Sequence, residues 1–226
     1  MSWWLRAGTD GVAIAPSILS ADASRLAEEV AAIAAAGADL VHFDVMDGHF
    51  VPNLTYGPHV AACVARSTDL PLDCHLMVED PATYAARFLD AGATSITFHW
   101  ELALDHAGLL RSIRASGGRP GLALNPATPL DTRIRDLLPL CDLFLVMSVH
   151  PGYSGQTFDP VALPKLRQLA QWRREDGLDL ALEVDGGINL ETAPLVRAAG
   201  ADILVSGSTL FGTSDYGPTL ARLRGN

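Results

Sequence analysis

The sequence predicts an α/β protein, a (β/α)8 barrel, on three observations. One short pattern recurs: Ala36-Gly37-Ala38-Asp39-Leu40-Val41, Ala91-Gly92-Ala93-Thr94-Ser95-Ile96 and Ala199-Gly200-Ala201-Asp202-Ile203-Leu204. Each reads as a helix ended by a glycine, a short link and an apolar strand. The copies begin at residues 36, 91 and 199, separations of two and four units of roughly 27 residues. Second, eight strand-like stretches follow one another: 12–15, 40–45, 72–77, 95–99, 121–124, 143–149, 180–184 and 203–206. Short links and right-handed crossovers between such strands build a parallel sheet. Third, 226 residues suit eight βα units, since barrels of this kind run to roughly 200–250 residues. A doubly wound open sheet normally carries a glycine fingerprint after its first strand, and here that place reads Ala15-Pro16-Ser17-Ile18-Leu19-Ser20.

Residues 1–11 read as an N-terminal extension and 12–226 as a single barrel domain. Met1-Ser2-Trp3-Trp4-Leu5-Arg6 is too short and too soon interrupted for a signal peptide. Ser20 or Asp22 can cap a helix whose apolar positions include Leu26, Val30 and Ile33. Asp80-Pro81, Thr128-Pro129 and Asp159-Pro160 each pair a capping residue with proline at the first helical position. A hydrophobic content of 49% supplies a sizeable core, yet no apolar run is long enough to span a bilayer. A net charge of −10 argues against a nucleic-acid partner, which needs a basic footprint. The three cysteines, Cys63, Cys74 and Cys141, show no CxxC spacing, so neither a disulfide framework nor a zinc knuckle is expected. A cytoplasmic protein with no membrane partner is the expectation.

The chemistry centres on Val41-His42-Phe43-Asp44-Val45-Met46-Asp47-Gly48. Side chains alternate along a strand, so His42, Asp44 and Met46 share one face, and Asp47-Gly48 ends the strand in a turn. In a barrel the active site lies at the strands' C-terminal ends. Those ends carry Ser17, His42, Asp44, Met46, His75, Met77, His99, Asn125, Met147, Asp185 and Gly207-Ser208. His42, Asp44, His75 and Asp185 then offer two imidazoles and two carboxylates around one point. That set suits one divalent cation per subunit, Zn²⁺ first, with Fe²⁺, Mn²⁺ or Co²⁺ also suited and Mg²⁺ less so. Cys74 points to the opposite face from His75 and reads as a small buried hydrophobe.

Met46, Met77 and Met147 fall at strand ends and are expected to line the same cavity, giving it a polarisable, water-poor wall. Three glycine-containing loops follow strands six to eight: His150-Pro151-Gly152-Tyr153-Ser154-Gly155-Gln156, Asp185-Gly186-Gly187 and Ser206-Gly207-Ser208. Glycines let backbone N–H groups approach an anion, and barrel phosphate sites commonly use the loops after strands seven and eight. Two carboxylates on a metal beside a phosphate grip suit proton abstraction next to a carbonyl through a metal-stabilised enediolate. One aspartate takes the proton from one face and the other returns it to the opposite face, which is epimerisation. One must start ionised and the other protonated.

With those residues assembled, the chain resembles the ribulose-phosphate 3-epimerase family. The matching segments include Ile14-Ala15-Pro16-Ser17-Ile18-Leu19-Ser20-Ala21-Asp22, His42-Phe43-Asp44-Val45-Met46-Asp47-Gly48, Val51-Pro52-Asn53-Leu54-Thr55 and Leu72-Asp73-Cys74-His75-Leu76-Met77. They continue through Leu122-Ala123-Leu124-Asn125-Pro126-Ala127-Thr128-Pro129, Met147-Ser148-Val149 and Val184-Asp185-Gly186-Gly187. The resemblance implies a TIM barrel of the ribulose-phosphate-binding type that interconverts D-ribulose 5-phosphate and D-xylulose 5-phosphate, a step of the pentose phosphate pathway and of carbon fixation. It implies that His42, Asp44, His75 and Asp185 are the metal ligands, Asp44 the proton acceptor and Asp185 the donor. Ser17, His75, Gly152, Tyr153, Ser154, Gly155, Gly186, Gly187, Gly207 and Ser208 would hold the sugar phosphate. The sixth-strand loop departs from the family's pattern, since Tyr153-Ser154 stands where the family usually has Phe-Gly.

Four other readings compete. An epimerase for a six-carbon ketose phosphate such as allulose 6-phosphate would use the same metal site. A Schiff-base aldolase needs a lysine at a strand end, and the only lysine, Lys165, falls in the helix after strand six. A decarboxylase of the orotidine-phosphate type needs Asp-x-Lys-x-x-Asp where this chain has Asp44-Val45-Met46-Asp47. A non-catalytic sugar-phosphate sensor would not need both Asp44 and Asp185. A homo-oligomer is the expected assembly, although no interface signature is visible.

Overall fold

The computed structural model describes residues 3, 4 and 11–226. Eight parallel strands alternate with helices: β1 (Ala13–Pro16), α1 (Leu26–Ala36), β2 (Val41–Met46), α2 (Pro58–Ala65), β3 (Leu72–Met77), α3 (Pro81–Asp90), β4 (Ser95–His99) and α4 (His106–Ala115). The chain continues with β5 (Arg119–Leu124), α5 (Thr132–Arg135), β6 (Leu143–Met147), α6 (Ala162–Glu175), β7 (Ala181–Asp185), α7 (Ala193–Ala198), β8 (Ile203–Ser206), α8 (Ser208–Phe211) and α9 (Tyr216–Arg224). Neighbouring strands pair in parallel from β2 round to β8 and on to β1. The seam between β1 and β2 closes through a bridge between Ser17 and His42 and a bond from Asp39 N to Ile14 O. The Asp39 carboxylate accepts from Ile14 N at 2.8 Å and also holds Arg224 of α9, so the last helix braces the seam. The molecule is a (β/α)8 barrel.

Strand alternation sorts the core into two compartments. Phe43, Cys74, Leu76, Ile96, Phe98, Leu122, Phe144, Leu182 and Leu204 point outward and pack under the helices, with Val30, Ile33, Phe88, Leu110 and Leu166 opposite them. Cys74 is thus buried among apolar side chains, as its alternation with His75 requires. The lumen holds a smaller apolar set from Ala13, Ala15, Leu143, Leu145, Ala181, Ile203 and Val205, closed by Trp4. Trp3 meets Trp4 edge-on at 5.9 Å and lies under the Arg119 guanidinium. The rest of the expected extension 1–11 lies outside the described residues, apart from Gly11.

Several local expectations change, among them the helix start expected at Asp159-Pro160, which falls instead at Ala162. β5 starts at Arg119 rather than 121, with Pro120 inside it; the proline lacks a donor, but its carbonyl still accepts from Asp142 N at 2.8 Å. The helix expected at Thr128-Pro129 begins instead at Thr132, capped by Asp131, whose carboxylate accepts from Arg133 N. Thr128 serves its own loop, because its carbonyl is taken by Lys165 Nζ. β6 ends at Met147 rather than 149. Beyond it the backbone is claimed by the next loops: Ser148 Oγ donates to Gly186 O, and Ser148 O accepts from Asp159 N.

Candidate active site

β2 presents His42, Asp44 and Met46 to the lumen, β3 presents Asp73, His75 and Met77, and β7 presents Glu183 and Asp185. Register does the rest: Asp44 lies opposite His75 across β2 and β3, and Asp185 opposite Met147 across β6 and β7. One ligand atom from each of His42, Asp44, His75 and Asp185 falls within 4.8 Å of the others. The structure therefore brings together all four residues predicted from strand ends. His42, Asp44 and His75 are buried, and Asp185 is partly open at the end of β7.

His42, Asp44 and His75 are each oriented by further contacts. His42 Nδ1 lies 2.7 Å from Asp73 Oδ2, and Asp73 Oδ1 in turn accepts from Ser95 Oγ. Asp44 Oδ2 accepts from Ser17 Oγ at 2.6 Å, and Asp44 Oδ1 lies 3.3 Å from His75 Nδ1. Thr55 Oγ1 donates to Asp44 O and accepts from Met46 N, which holds the end of β2 in place. Asp47 organises the loop that follows: its carboxylate accepts from the amides of His49, Phe50 and Glu79.

The two aspartates have opposite tendencies. Burial works against ionisation of Asp44, but the adjacent His42 and His75 imidazoles hold its carboxyl well below the usual carboxylate range. For Asp185, burial and the Asp44 charge push the pKa up to about 7. Burial disfavours the His42 cation, yet the carboxyl groups of Asp44, Asp73 and Glu183 raise its pKa well above the usual imidazole value. Below His42, Glu183 is pushed up to about 8 by burial and the Asp73 charge.

The donor set fits a divalent cation. Among the described residues His42 Nε2 is a buried nitrogen with no hydrogen bond, although it stands 3.4 Å from Asp44 Oδ1. An orphaned imidazole nitrogen facing a carboxylate inside a two-nitrogen, two-oxygen cluster is what a cation of intermediate softness requires. His42, Asp44, His75 and Asp185 could hold one.

A cavity opens above the cluster. Its wall includes Ser17, Asp44, Asp185 and the three methionines Met46, Met77 and Met147. Gly152, Tyr153, Ser154, Gly155, Gly186, Gly187, Gly207 and Ser208 form the rest of the rim together with Leu19, Ser20 and Gln156. His42 and His75 lie beneath this wall, and His75 has both ring nitrogens engaged inside the cluster. Gly186 and Gly187 have φ of +111° and +61°. A Cβ on Gly187 would stand 2.3 Å from Phe158 N, so this turn accepts only glycine. The loop over β6 is tied to the loop over β2: Asn53 Nδ2 donates to Gly152 O and Tyr153 Oη donates to Pro52 O. Ser154 has no positive φ, so its side chain adds a hydroxyl to the rim without straining the loop. Lys165 is spent on structure, since its Nζ donates to the carbonyls of Asn125, Pro126 and Thr128 at 2.7–2.8 Å.

Residues 13–211 match the model of the ribulose-phosphate 3 epimerase family. The chain belongs to the ribulose-phosphate 3-epimerase family. It is 46% identical over 216 residues to the ribulose-phosphate 3-epimerase of Mycobacterium tuberculosis, covering 96% of this chain and 93% of that one. To the ribulose-phosphate 3-epimerase of Bacillus subtilis it is 44% identical over 216 residues, covering 95% of this chain and 99% of that one. Among solved structures it resembles a 3-hexulose-6-phosphate synthase with a TM-score of 0.64 at 20% identity, over 95% of this chain and 98% of that one. That likeness concerns the barrel alone. Among the described residues no helix is long and apolar enough to cross a membrane.

Three side chains that structure this site carry no role in the sequence reading: Asp73, which alternation places on the His75 face, Glu183 and Glu101. Each stands two positions along a strand or its exit from a residue that was read, namely His75, Asp185 and His99. Period-two alternation puts such a pair on one face, so that spacing was the available signal.

Proposed function

We propose that this chain is a metal-dependent epimerase interconverting D-ribulose 5-phosphate and D-xylulose 5-phosphate by proton transfer at C3. The observation that carries the reading is geometric: Asp44 of β2 and Asp185 of β7 bring two carboxyl groups into one cluster with the His42 and His75 imidazoles, ligand atoms within 4.8 Å of one another. Asp44, ionised and fixed by Ser17 Oγ, takes the C3 proton. Asp185 delivers a proton to the opposite face, and the roles exchange in the reverse direction. His42, Asp44, His75 and Asp185 would hold the cation, which we read as Zn²⁺. Bound there, it supplies Lewis-acid stabilisation of the charge that develops on the substrate oxygens.

The remaining residues bind and shield. The backbone amides around Gly186-Gly187 and Gly207-Ser208, with Ser154 and Gly155, are the phosphate grip in this reading. Met46, Met77 and Met147 keep the wall above the carboxylates apolar, which strengthens the electrostatics there. The family membership and the names of relatives at 44–46% identity support the pentulose substrate. A cytoplasmic homo-oligomer acting in carbohydrate metabolism completes the proposal, and sizing chromatography with light scattering tests the assembly.

The deciding experiment is proton NMR of the metal-loaded protein with D-ribulose 5-phosphate in D₂O. The expected result is xylulose 5-phosphate carrying deuterium at C3, abolished in Asp44→Asn and Asp185→Asn. No exchange at C3, in protein shown to contain metal, would overturn the pentulose reading.

A further inference from the structure

We propose that His99 and Glu101 are positioning residues for the metal centre: His99 accepts the Nε2 proton of His75, so that His75 offers only Nδ1 to a cation, and Glu101 locks the His99 tautomer. This rests on the metal reading of the four-residue cluster. His75 Nε2 and His99 Nε2 are 2.8 Å apart inside the lumen. Two ring nitrogens at that separation share one proton, so one ring donates and the other accepts. The opposite nitrogen of His75, Nδ1, faces Asp44 Oδ1 within the ligand cluster. A neutral imidazole that gives its Nδ1 lone pair to a cation carries its proton on Nε2. His75 is then the donor and His99 the acceptor.

The consequence reaches one residue further. If His99 accepts through Nε2, its own proton sits on Nδ1, and Glu101 Oε2 lies 3.2 Å from that atom. Glu101 is held as an anion: burial opposes this, but hydrogen bonds from His99, Thr128 and the Asn125 amide bring its pKa to about 2. Its other oxygen accepts from Asn125 N at 2.8 Å, which fixes the carboxylate against the start of the β5 loop. The Phe50 ring covers His99 at 4.7 Å between centroids, so the β2 loop shields the relay.

The two imidazoles of the cluster are therefore supported in different ways. His42 leans directly on the buried Asp73, whereas His75 reaches its carboxylate through a second imidazole. The Glu101 side chain is 20% exposed, so this second support ends near solvent. A hydrogen bond that an anion strengthens from behind makes His75 Nδ1 a better donor to a metal.

The test uses the full chain labelled with ¹⁵N-histidine and loaded with zinc, read by two-bond ¹H–¹⁵N correlation. Zinc affinity is measured alongside by competition with a chromophoric chelator. The expected spectrum has His75 protonated at Nε2 and His99 protonated at Nδ1. His99→Leu should weaken zinc binding by about 10–100-fold, while His99→Gln, whose carbonyl can accept the same proton, should recover most of it. A His99 protonated at Nε2 in the zinc-loaded protein would overturn the proposal, as would unchanged zinc affinity in His99→Leu. Should His99→Leu fail to fold, the wild-type spectrum decides alone. Wild-type protein that binds no zinc would sink the metal reading itself, and normal zinc binding with the wrong tautomer only this inference.

Discussion

On one side of the lumen β5, β6, β8 and β1 contribute Ala123, Leu143, Leu145, Ile203, Val205, Ala13 and Ala15. Facing them, β2, β3 and β4 contribute His42, Asp44, Asp73, His75, Ser95, Thr97 and His99, and Glu183 reaches into this group from β7, between β6 and β8; all are just as deeply buried. Equal burial has opposite consequences for the two sides. Apolar side chains need only volume, and the first side is complete once they interlock. Polar groups need partners, and the second side satisfies them in chains such as Ser95 to Asp73 to His42 and Ser17 to Asp44. Among the described residues the atoms left over there, His42 Nε2, Thr97 Oγ1 and both Glu183 oxygens, are what the folded chain does not satisfy by itself. The apolar side makes the barrel stable, and the polar side uses part of that stability to hold a reactive arrangement.

The sharpest way to break this division is to exchange one group on each side. Asp185→Asn should lower turnover by on the order of 10²–10⁴-fold. In EDTA its melting temperature should hold or rise, because it removes an acid whose ionisation the Asp44 charge opposes. Leu143→Ala on the apolar side should do the reverse, costing about 2–5 kcal/mol of stability in urea unfolding with kcat unchanged. A Leu143→Ala protein that keeps its stability but loses turnover would end the comparison.

A pH series extends it. In EDTA, Asp185 at about 7 and Glu183 at about 8 both lie above their unfolded values, so the folded chain binds more protons than the unfolded chain between those limits. Their contribution is complete below about pH 4 and is lost as pH rises through 7 and 8. His42, also raised, acts in the same direction at higher pH. Asp44 is shifted the other way, and its contribution is lost only in acid, outside this window. Unfolding free energies from urea titrations between pH 5 and 8.5 should therefore fall, by on the order of a few kcal/mol in all. Glu183→Gln should flatten the upper part of the curve. Zinc should stabilise most at the alkaline end, since its ligands must be deprotonated to bind.

The smallest effect is expected at the rim. Tyr153→Phe removes the phenol that donates to Pro52 O between two loops. Its side chain is more than half exposed, so the loss should stay below about 1 kcal/mol and surface as a modest rise in KM with kcat preserved.

Much of this was legible in the linear chain. The repeated helix-glycine-strand segments read directly as barrel units, and alternation within 41–46 and 72–77 put His42, Asp44 and His75 on the lumen face before any coordinates. The glycine loops were visible too, because a turn such as Gly186-Gly187 tolerates no side chain. Less legible were features that depend on a second element. Thr128-Pro129 looked like a helix start, but Lys165, 37 residues further on, claims the Thr128 carbonyl. Glu183 looked like an ordinary strand residue, and only its burial in the closed lumen near the Asp73 carboxylate pushes its pKa up to about 8.

What the sequence determined by itself is which face each strand residue takes, since the two-residue period is built into an extended backbone. With it came the order of strands and helices and the chemistry available at the C-terminal rim. Which of those lumen residues touch was decided only by closure of the barrel, because closure sets the stagger between strands. His75 and His99 share a proton across β3 and β4, and Tyr153 reaches Pro52 across 101 residues, by virtue of that stagger and not of any local pattern.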